Sequence, residues 1–235
     1  MRFASLGSGS RGNALLVEGG GTRLLVDCGF AARETERRLA ELGVAAGDLN
    51  AILVTHEHGD HIRGVAALAR RHGIPVWTTP GTWGRHQGSA VERVHLISGL
   101  GPGFRVGDIW VEPFPIPHDA REPCHFVLAS GGRRLGLLTD CGYVTRHIRD
   151  RLGECDALVL ECNHDSDMLR QGPYPPFLRA RVSGNQGHLG NHQAAELLGS
   201  LPRQGLTSLL VAHLSEKNNR PELARQALQA GDIDL

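Results

Sequence analysis

The segment THEHGDH, residues 55–61, puts His56, His58, Asp60 and His61 within seven residues, directly after the apolar run AILV at 51–54. Imidazole and carboxylate donors without thiolates suit Zn²⁺ or Mn²⁺. A tight turn through Gly59 would let His56 and His58 face one ion while Asp60 and His61 face a neighbouring one. Two metals need a bridging carboxylate and further histidines to complete their shells. His118 in IPHD, Asp140 in LTDCG and His213 in VAHLS supply them, with His125 or His188, and Asp119, as the competing choices. Asp27 reads as a hydrogen-bond partner of a ligand histidine rather than as a ligand.

These side chains share a mode of placement. LVTH runs into His58 and Asp60, LLTD ends at Asp140, LVLE at Glu161, and LLVAH at His213. In α/β architectures ligands bind beyond the carboxyl ends of strands, so four such strands imply one convergent site. The apolar and alternating runs at 13–18, 22–29, 51–56, 75–79, 93–97, 109–116, 125–130, 134–140, 156–163 and 208–215 read as strands. Helical spacing appears at 32–43, 64–73, 191–201 and 221–230. Residues 165–187 show no clear periodicity and read as a loop over the site. A domain spanning 1–235 is expected, since neither a repeat nor a low-complexity linker interrupts the chain.

Composition places the 235 residues among ordinary globular proteins, with 40% hydrophobic and 21% charged residues. No apolar run approaches the ~20 residues that span a bilayer, and the first residues lack the apolar core of a signal peptide; a cytoplasmic protein is expected. Five cysteines without a CxxC pair argue against a disulfide framework or a thiolate zinc site. The formal net charge of zero neither supports nor excludes a nucleic-acid partner. His72, His86, His95, His147 and His192 lack a metal-binding context and read as surface or packing residues.

In order and spacing, THEHGDH, then His118, Asp140 and His213 resemble the metallo-β-lactamase fold over almost the whole chain. LGSGSRGN (6–13), ECNHD (161–165), GHLGN (187–191) and HLSEKNN (213–219) resemble, within that superfamily, the YycJ/WalJ-type family, linked to 5′-to-3′ DNA exonuclease activity with Mn²⁺. Glu161 and His188 are similar to a pair found in the tRNA 3′-processing endonucleases. Gly190 departs from the closer family, which usually has Ser there. The resemblance implies an α/β (α+β) fold, a four-layer αβ/βα sandwich, with two divalent ions, Zn²⁺ or Mn²⁺. His56, His58 and His118 would hold the first ion, Asp60, His61 and His213 the second, and Asp140 would bridge them. A water between two such ions is acidified toward hydroxide at neutral pH, with Asp60 to take its proton. His188, kept charged by Glu161, would stabilise the phosphate or protonate the leaving oxygen. His164 is a second-shell partner or a substrate contact. Ser8, Ser10 and Asn13, in the glycine-rich turn, would cradle a phosphate or simply close a turn.

Two other functions fit the same metal-binding pattern: hydrolysis of a small thioester or lactone, and a regulatory protein whose metal is structural. A thiolate leaves without a proton donor, and a structural site has no use for a spare acid–base pair. Glu161 and His188 therefore favour phosphodiester cleavage, with nucleic acid, DNA foremost, as the partner and no membrane.

Overall fold

The computed structural model describes residues 1–84, 90–202 and 205–229. They fall into two compact units. The first holds Met1–Pro115, Ala120–Cys124 and Leu128–Gly132; the second holds Ile116–Asp119, His125–Val127 and the described residues from Arg133 onward.

The first unit is organised on six strands in sequential order: β1 (Arg2–Gly7), β2 (Ala14–Gly19), β3 (Thr22–Val26), β4 (Ala51–Leu53), β5 (Val76–Thr78) and β6 (Val94–Leu96). β1 to β3 pair antiparallel and β3 to β6 parallel. The β2–β3 hairpin turns through Gly20 and Gly21, and Gly20 sits at φ 60°, where a side chain would be strained. Between β3 and β4 lies α1 (Ala32–Glu41), and between β4 and β5 lie α2 (Gly59–Ile62) and α3 (Val65–His72). α1 buries Ala32, Thr35 and Leu39, and α3 buries Val65, Leu68 and Ala69, the spacing of a single apolar stripe. Those stripes share a core with Leu25 and Ile52 of the sheet and Val54 just beyond β4, each such fully buried side chain stabilising by roughly 1.5–3 kcal/mol. α3 stops at Gly73, which takes the left-handed C-terminal conformation at φ 63°. The unit is completed by α4 (Pro80–Trp83) and the hairpin β7 (Phe104–Val106) and β8 (Ile109–Pro115). The next strand, β9 (Cys124–Ser130), contributes residues to each unit.

The second unit has β10 (Arg133–Leu138), β11 (Ala157–Glu161) and β12 (Ser208–Ala212), paired parallel with Leu138 opposite Leu160 and Glu161 opposite Ala212. Their C-terminal ends are therefore aligned. α5 (Arg146–Leu152), α6 (Ser166–Gln171), α7 (Pro176–Val182), α8 (Asn191–Ser200) and α9 (Pro221–Gln229) surround these strands in sequence.

Three expectations are corrected. Residues 165–187 are not a loop but contain α6 and α7, each too short to show a helical stripe. Their start signals are local: the Asp165 carboxylate caps the N–H groups of Asp167 and Met168, and proline opens α7. The turn through Gly59 is the first residue of the helix α2 rather than an isolated turn. β4 ends at Leu53, so His56 lies three residues beyond the strand and not on it. β1, β7, α4 and α5 carried no clear signal, and His86 and Ala230 lie outside the described residues. Among the described residues no helix is long and apolar enough to cross a membrane.

Candidate metal centre

In the first unit the chain leaves β3 at Asp27, whose φ of 61° turns its carboxylate sharply from the strand line. That carboxylate is buried and accepts three hydrogen bonds, from Thr55 N at 2.9 Å, Thr55 Oγ1 at 2.8 Å and His61 Nδ1 at 2.8 Å. Thr55 Oγ1 also lies 3.0 Å from His56 Nδ1. With Nδ1 held on both rings, Nε2 is the atom through which each would bind a metal, the arrangement expected of a ligating histidine. His56 Nε2 and His58 Nδ1 are 3.1 Å apart, and the His56 and His61 rings have centroids 4.1 Å apart. Buried imidazoles packed this closely beside Asp60 form a donor set that a divalent cation fits.

The turn holds this shape because glycine allows two backbones to meet. A Cβ on Gly29 would fall 1.7 Å from the Asp60 carbonyl oxygen, and one on Gly64 would fall 2.0 Å from that of Phe30. Asn13 faces inward: its amide reaches Asp60 Oδ2 at 3.3 Å and His61 Nε2 at 3.0 Å, while its oxygen accepts from Gly9 N at 2.8 Å. Ser8 and Ser10 stay on the exposed side of that turn.

The second unit gathers His118, Asp140, Glu161, His188 and His213. Asp140 Oδ1 is 3.9 Å from His118 Nε2, 3.5 Å from His213 Nε2 and 3.6 Å from His188 Nδ1. Ligand atoms of Asp140, Glu161, His188 and His213 all lie within 4.8 Å of one another. His118 Nδ1 donates to Gly187 O at 3.2 Å, again leaving Nε2 for a metal. Glu161 ends β11 wholly buried. Its Oε1 accepts from His188 Nδ1 and His213 Nδ1, both at 2.8 Å, and its Oε2 accepts from Cys141 N at 3.1 Å and Leu189 N at 3.0 Å. Burial opposes the charge on Glu161, but His188 and His213 outweigh it and hold the carboxyl down at about 2. Burial likewise works against a charged His188, yet the Glu161 carboxylate raises its pKa above the ordinary value.

Of the competing residues, His188 lies in the cluster itself, whereas His125 and Asp119 have partners elsewhere. His125 Nε2 lies 2.9 Å from the Thr139 carbonyl oxygen, and Asp119 is paired with Arg181 at 2.6 Å. Sequence reasoning missed the second duty of Glu161, its bond to His213, because no spacing rule announces a carboxylate shared by two distant histidines. It also missed the backbone. Among the described residues the non-glycine positions with positive φ are Asp27, Ala90, Asp140 and His213, so three of the four belong to the candidate clusters, Asp27 to that of the first unit and Asp140 and His213 to that of the second. Such conformations are strained and concentrate at functional sites. Each follows the end of a parallel strand and swings a polar side chain across it.

All five cysteines are free and buried. Burial pushes the Cys28 thiol up to about 11 and that of Cys162 to about 12, which keeps thiolates out of the donor set.

Residues 22–213 match the Beta-lactamase superfamily domain. The Exodeoxyribonuclease YycJ of Bacillus anthracis is 37% identical over 231 residues, covering 97% of this chain and 88% of that protein. The crystal structure of the metallo-β-lactamase fold protein YhfI from Bacillus subtilis superposes with a TM-score of 0.76 at 18% identity, over 97% of this chain and 91% of the other. Human tRNase Z, short form, does so with a TM-score of 0.67 at 20% identity, over 92% and 93%. The fold is thus the metallo-β-lactamase fold anticipated from the histidine pattern. The chain belongs to the β-lactamase superfamily and, within it, to the YycJ/WalJ-type family. It is a metal-dependent hydrolase.

Proposed function

We propose that residues 1–235 act as one catalytic domain, a two-metal phosphodiesterase that shortens DNA from an end in the 5′-to-3′ direction, in the cytoplasm. The observation that carries this reading is the position of Asp140, within 3.9 Å of the Nε2 atoms of both His118 and His213, with the Glu161–His188 pair beside it. A carboxylate between two such histidines suits a bridge, and an acid–base pair beyond it suits a leaving group that needs a proton. The name of the Bacillus anthracis relative supplies the substrate class.

In this reading His56, His58 and His118 would hold one Zn²⁺ or Mn²⁺, Asp60, His61 and His213 would hold the other, and Asp140 would serve both. Two bound ions supply an acidified water and charge neutralisation at phosphorus. Asp60 orients the attacking water and accepts its proton. Glu161, ionised and buried, accepts from His188 Nδ1 and keeps that ring protonated. His188 Nε2–H then faces the developing charge and gives its proton to the leaving oxygen.

The test is digestion of end-labelled duplex DNA, matched RNA and a panel of thioesters in Mn²⁺, Zn²⁺ and Mg²⁺. Progressive shortening from the 5′ end of DNA is expected, with binding falling steeply at higher salt as phosphate contacts release counterions. Intact DNA and RNA in all three metals, together with thioester cleavage, would replace this reading by the small-substrate one.

A further inference from the structure

Three residues beyond Glu161, His164 lines a cavity of about 390 Å³ together with Ser166, Arg170, Arg179, Ser183 and His192. The volume falls in the range of small-ligand sites, roughly 300–1,000 Å³. No acidic side chain is among the described residues that line it. It lies wholly in the second unit, between α6, α7 and the start of α8.

Its chemistry is that of an anion site. His164 is buried, with 3% exposure, and among the described residues its Nδ1 has no hydrogen-bond partner. A buried polar atom left this way is costly. Burial lowers the pKa of the imidazole to about 4, so the ring is neutral and can donate or accept a hydrogen bond. Arg179 donates through Nη1 to the Arg170 carbonyl, which ties the two arginine-bearing helices together. Arg170 itself pairs with the exposed Asp167 at 2.8 Å. His192 and Gln193 are the second and third residues of the ten-residue helix α8, whose N-terminus brings positive potential to the same cavity. Gly190 keeps the space open. A Cβ there would lie 3.1 Å from His164 Nε2 and 3.3 Å from His192 Nδ1, and this is the position where the closer family usually carries Ser.

We propose that this cavity is a phosphate subsite that takes the terminal 5′-phosphate of a nucleic-acid strand, a proposal that rests on the nuclease reading above. A terminal phosphate is close to a dianion at neutral pH, and two guanidiniums, a helix N-terminus and a neutral imidazole donor match it better than they match a singly charged backbone phosphate. An end held here gives the enzyme a physical reason to begin at an end. Of the two readings the sequence left open for His164, this takes the substrate contact, and His192 gains a role that its sequence context did not suggest.

The probe is deoxyadenosine 5′-monophosphate, titrated into the metal-loaded chain by calorimetry, with deoxyadenosine as the comparison. The nucleotide should bind and the nucleoside should not. Arg179→Gln and Arg170→Gln should each weaken nucleotide binding about tenfold or more, the loss expected for a hydrogen bond to a charged group. Arg146→Gln, on the exposed face of α5, should leave it unchanged. Arg170 is the second variant because its exposed side chain can be replaced without threatening the fold. In parallel, KM for DNA with a 5′-phosphate should be lower than for DNA with a 5′-hydroxyl, and both arginine variants should erase that difference. Nucleotide binding indifferent to both arginine variants places the phosphate elsewhere and overturns the subsite, even where DNA is shortened normally. Variants that weaken 5′-phosphate and 5′-hydroxyl DNA equally overturn the assignment to the end. Arginine-dependent nucleotide binding in a chain that leaves DNA intact keeps the subsite and removes the nuclease reading.

Discussion

In the first unit Asp27 orients His61, a proposed ligand in a contiguous turn, and the neighbouring proposed ligands come with that turn through chain connectivity. In the second unit Glu161 draws together His188 and His213, 27 and 52 residues away in the chain, and fixes two backbone N–H groups as well. Asp27 serves a single segment, the turn at 55–61 that lies 28 to 34 residues on, so damage to it should loosen that turn alone. Glu161 is a hub, so damage to it should loosen the proposed ligand His213, the proposed acid His188 and two loops together. A carboxylate's importance in such a site follows from how many separate segments it ties, more than from its distance to the metal.

This contrast can be broken most forcefully at Asp140. Asp140→Ala should lose at least one of two divalent ions per chain and take activity below that of every other variant here. Metal analysis showing two tightly bound ions in Asp140→Ala would remove it from the bridging position. His188→Ala comes next: both ions and substrate affinity should remain while kcat falls by about 10²–10⁴, the contribution of a positioned acid–base group. Loss of an ion would make His188 a ligand instead.

Glu161→Gln sharpens the hub argument. In the sequence reading neither Glu161 nor His188 is needed to fill the metal shells, but the bond from His213 to Glu161 ties Glu161 to a proposed ligand. Metal affinity should drop by about 10–100-fold, as when the partner of a ligating histidine is removed. Asp27→Asn, acting on one ligand histidine, should fall at the low end of the same range, measured by competition with a chromophoric chelator. Equal losses in the two variants would erase the distinction between hub and local support.

A smaller effect should appear in the stability of the metal-free chain. Glu161 is held at about 2 against an ordinary 4.5, so its contribution is present above about 4.5 and lost as pH falls toward about 2. His188 is shifted upward, so its contribution is present below its ordinary 6.5 and lost as pH rises through the raised value. Urea midpoints should therefore decline on both sides of that window. Glu161→Gln should flatten both limbs; a profile unchanged by the substitution would deny the pair any part in stability. Smallest of all, alkylation of the native chain near pH 8 should label none of the five thiols, and ready labelling would contradict their burial.

That His56, His58 and His61 cluster was legible in the sequence because they are neighbours, and that His118, Asp140 and His213 come together because each follows an apolar strand. The parallel register that aligns Leu138 with Leu160 and Glu161 with Ala212 explains why strand ends were a good guide. Asp27 was readable as a supporting carboxylate for the same reason. The rest depended on tertiary geometry. Helices of six or seven residues, such as α6 and α7, are shorter than two turns and leave no stripe to detect. The inward orientation of Asn13 depends on where Asp60 sits, 47 residues along the chain. The cavity around His164 forms only when α6, α7 and α8 pack, so the sequence offered His192 no context.

The left-handed residues at the strand ends also restrict which substitutions these positions can accept over evolutionary time. At φ near 53°, the backbone at residue 140 accommodates Gly, Asn and Asp far more readily than other residues. The proposed bridging role asks for a carboxylate, which Asp and Glu supply. Only Asp meets both demands: Glu keeps the charge but sits poorly in that backbone, and Asn keeps the backbone but loses the charge. Drift at residue 140 is thus blocked twice over, by conformation and by chemistry. A surface ligand on an ordinary helix would face the chemical demand alone.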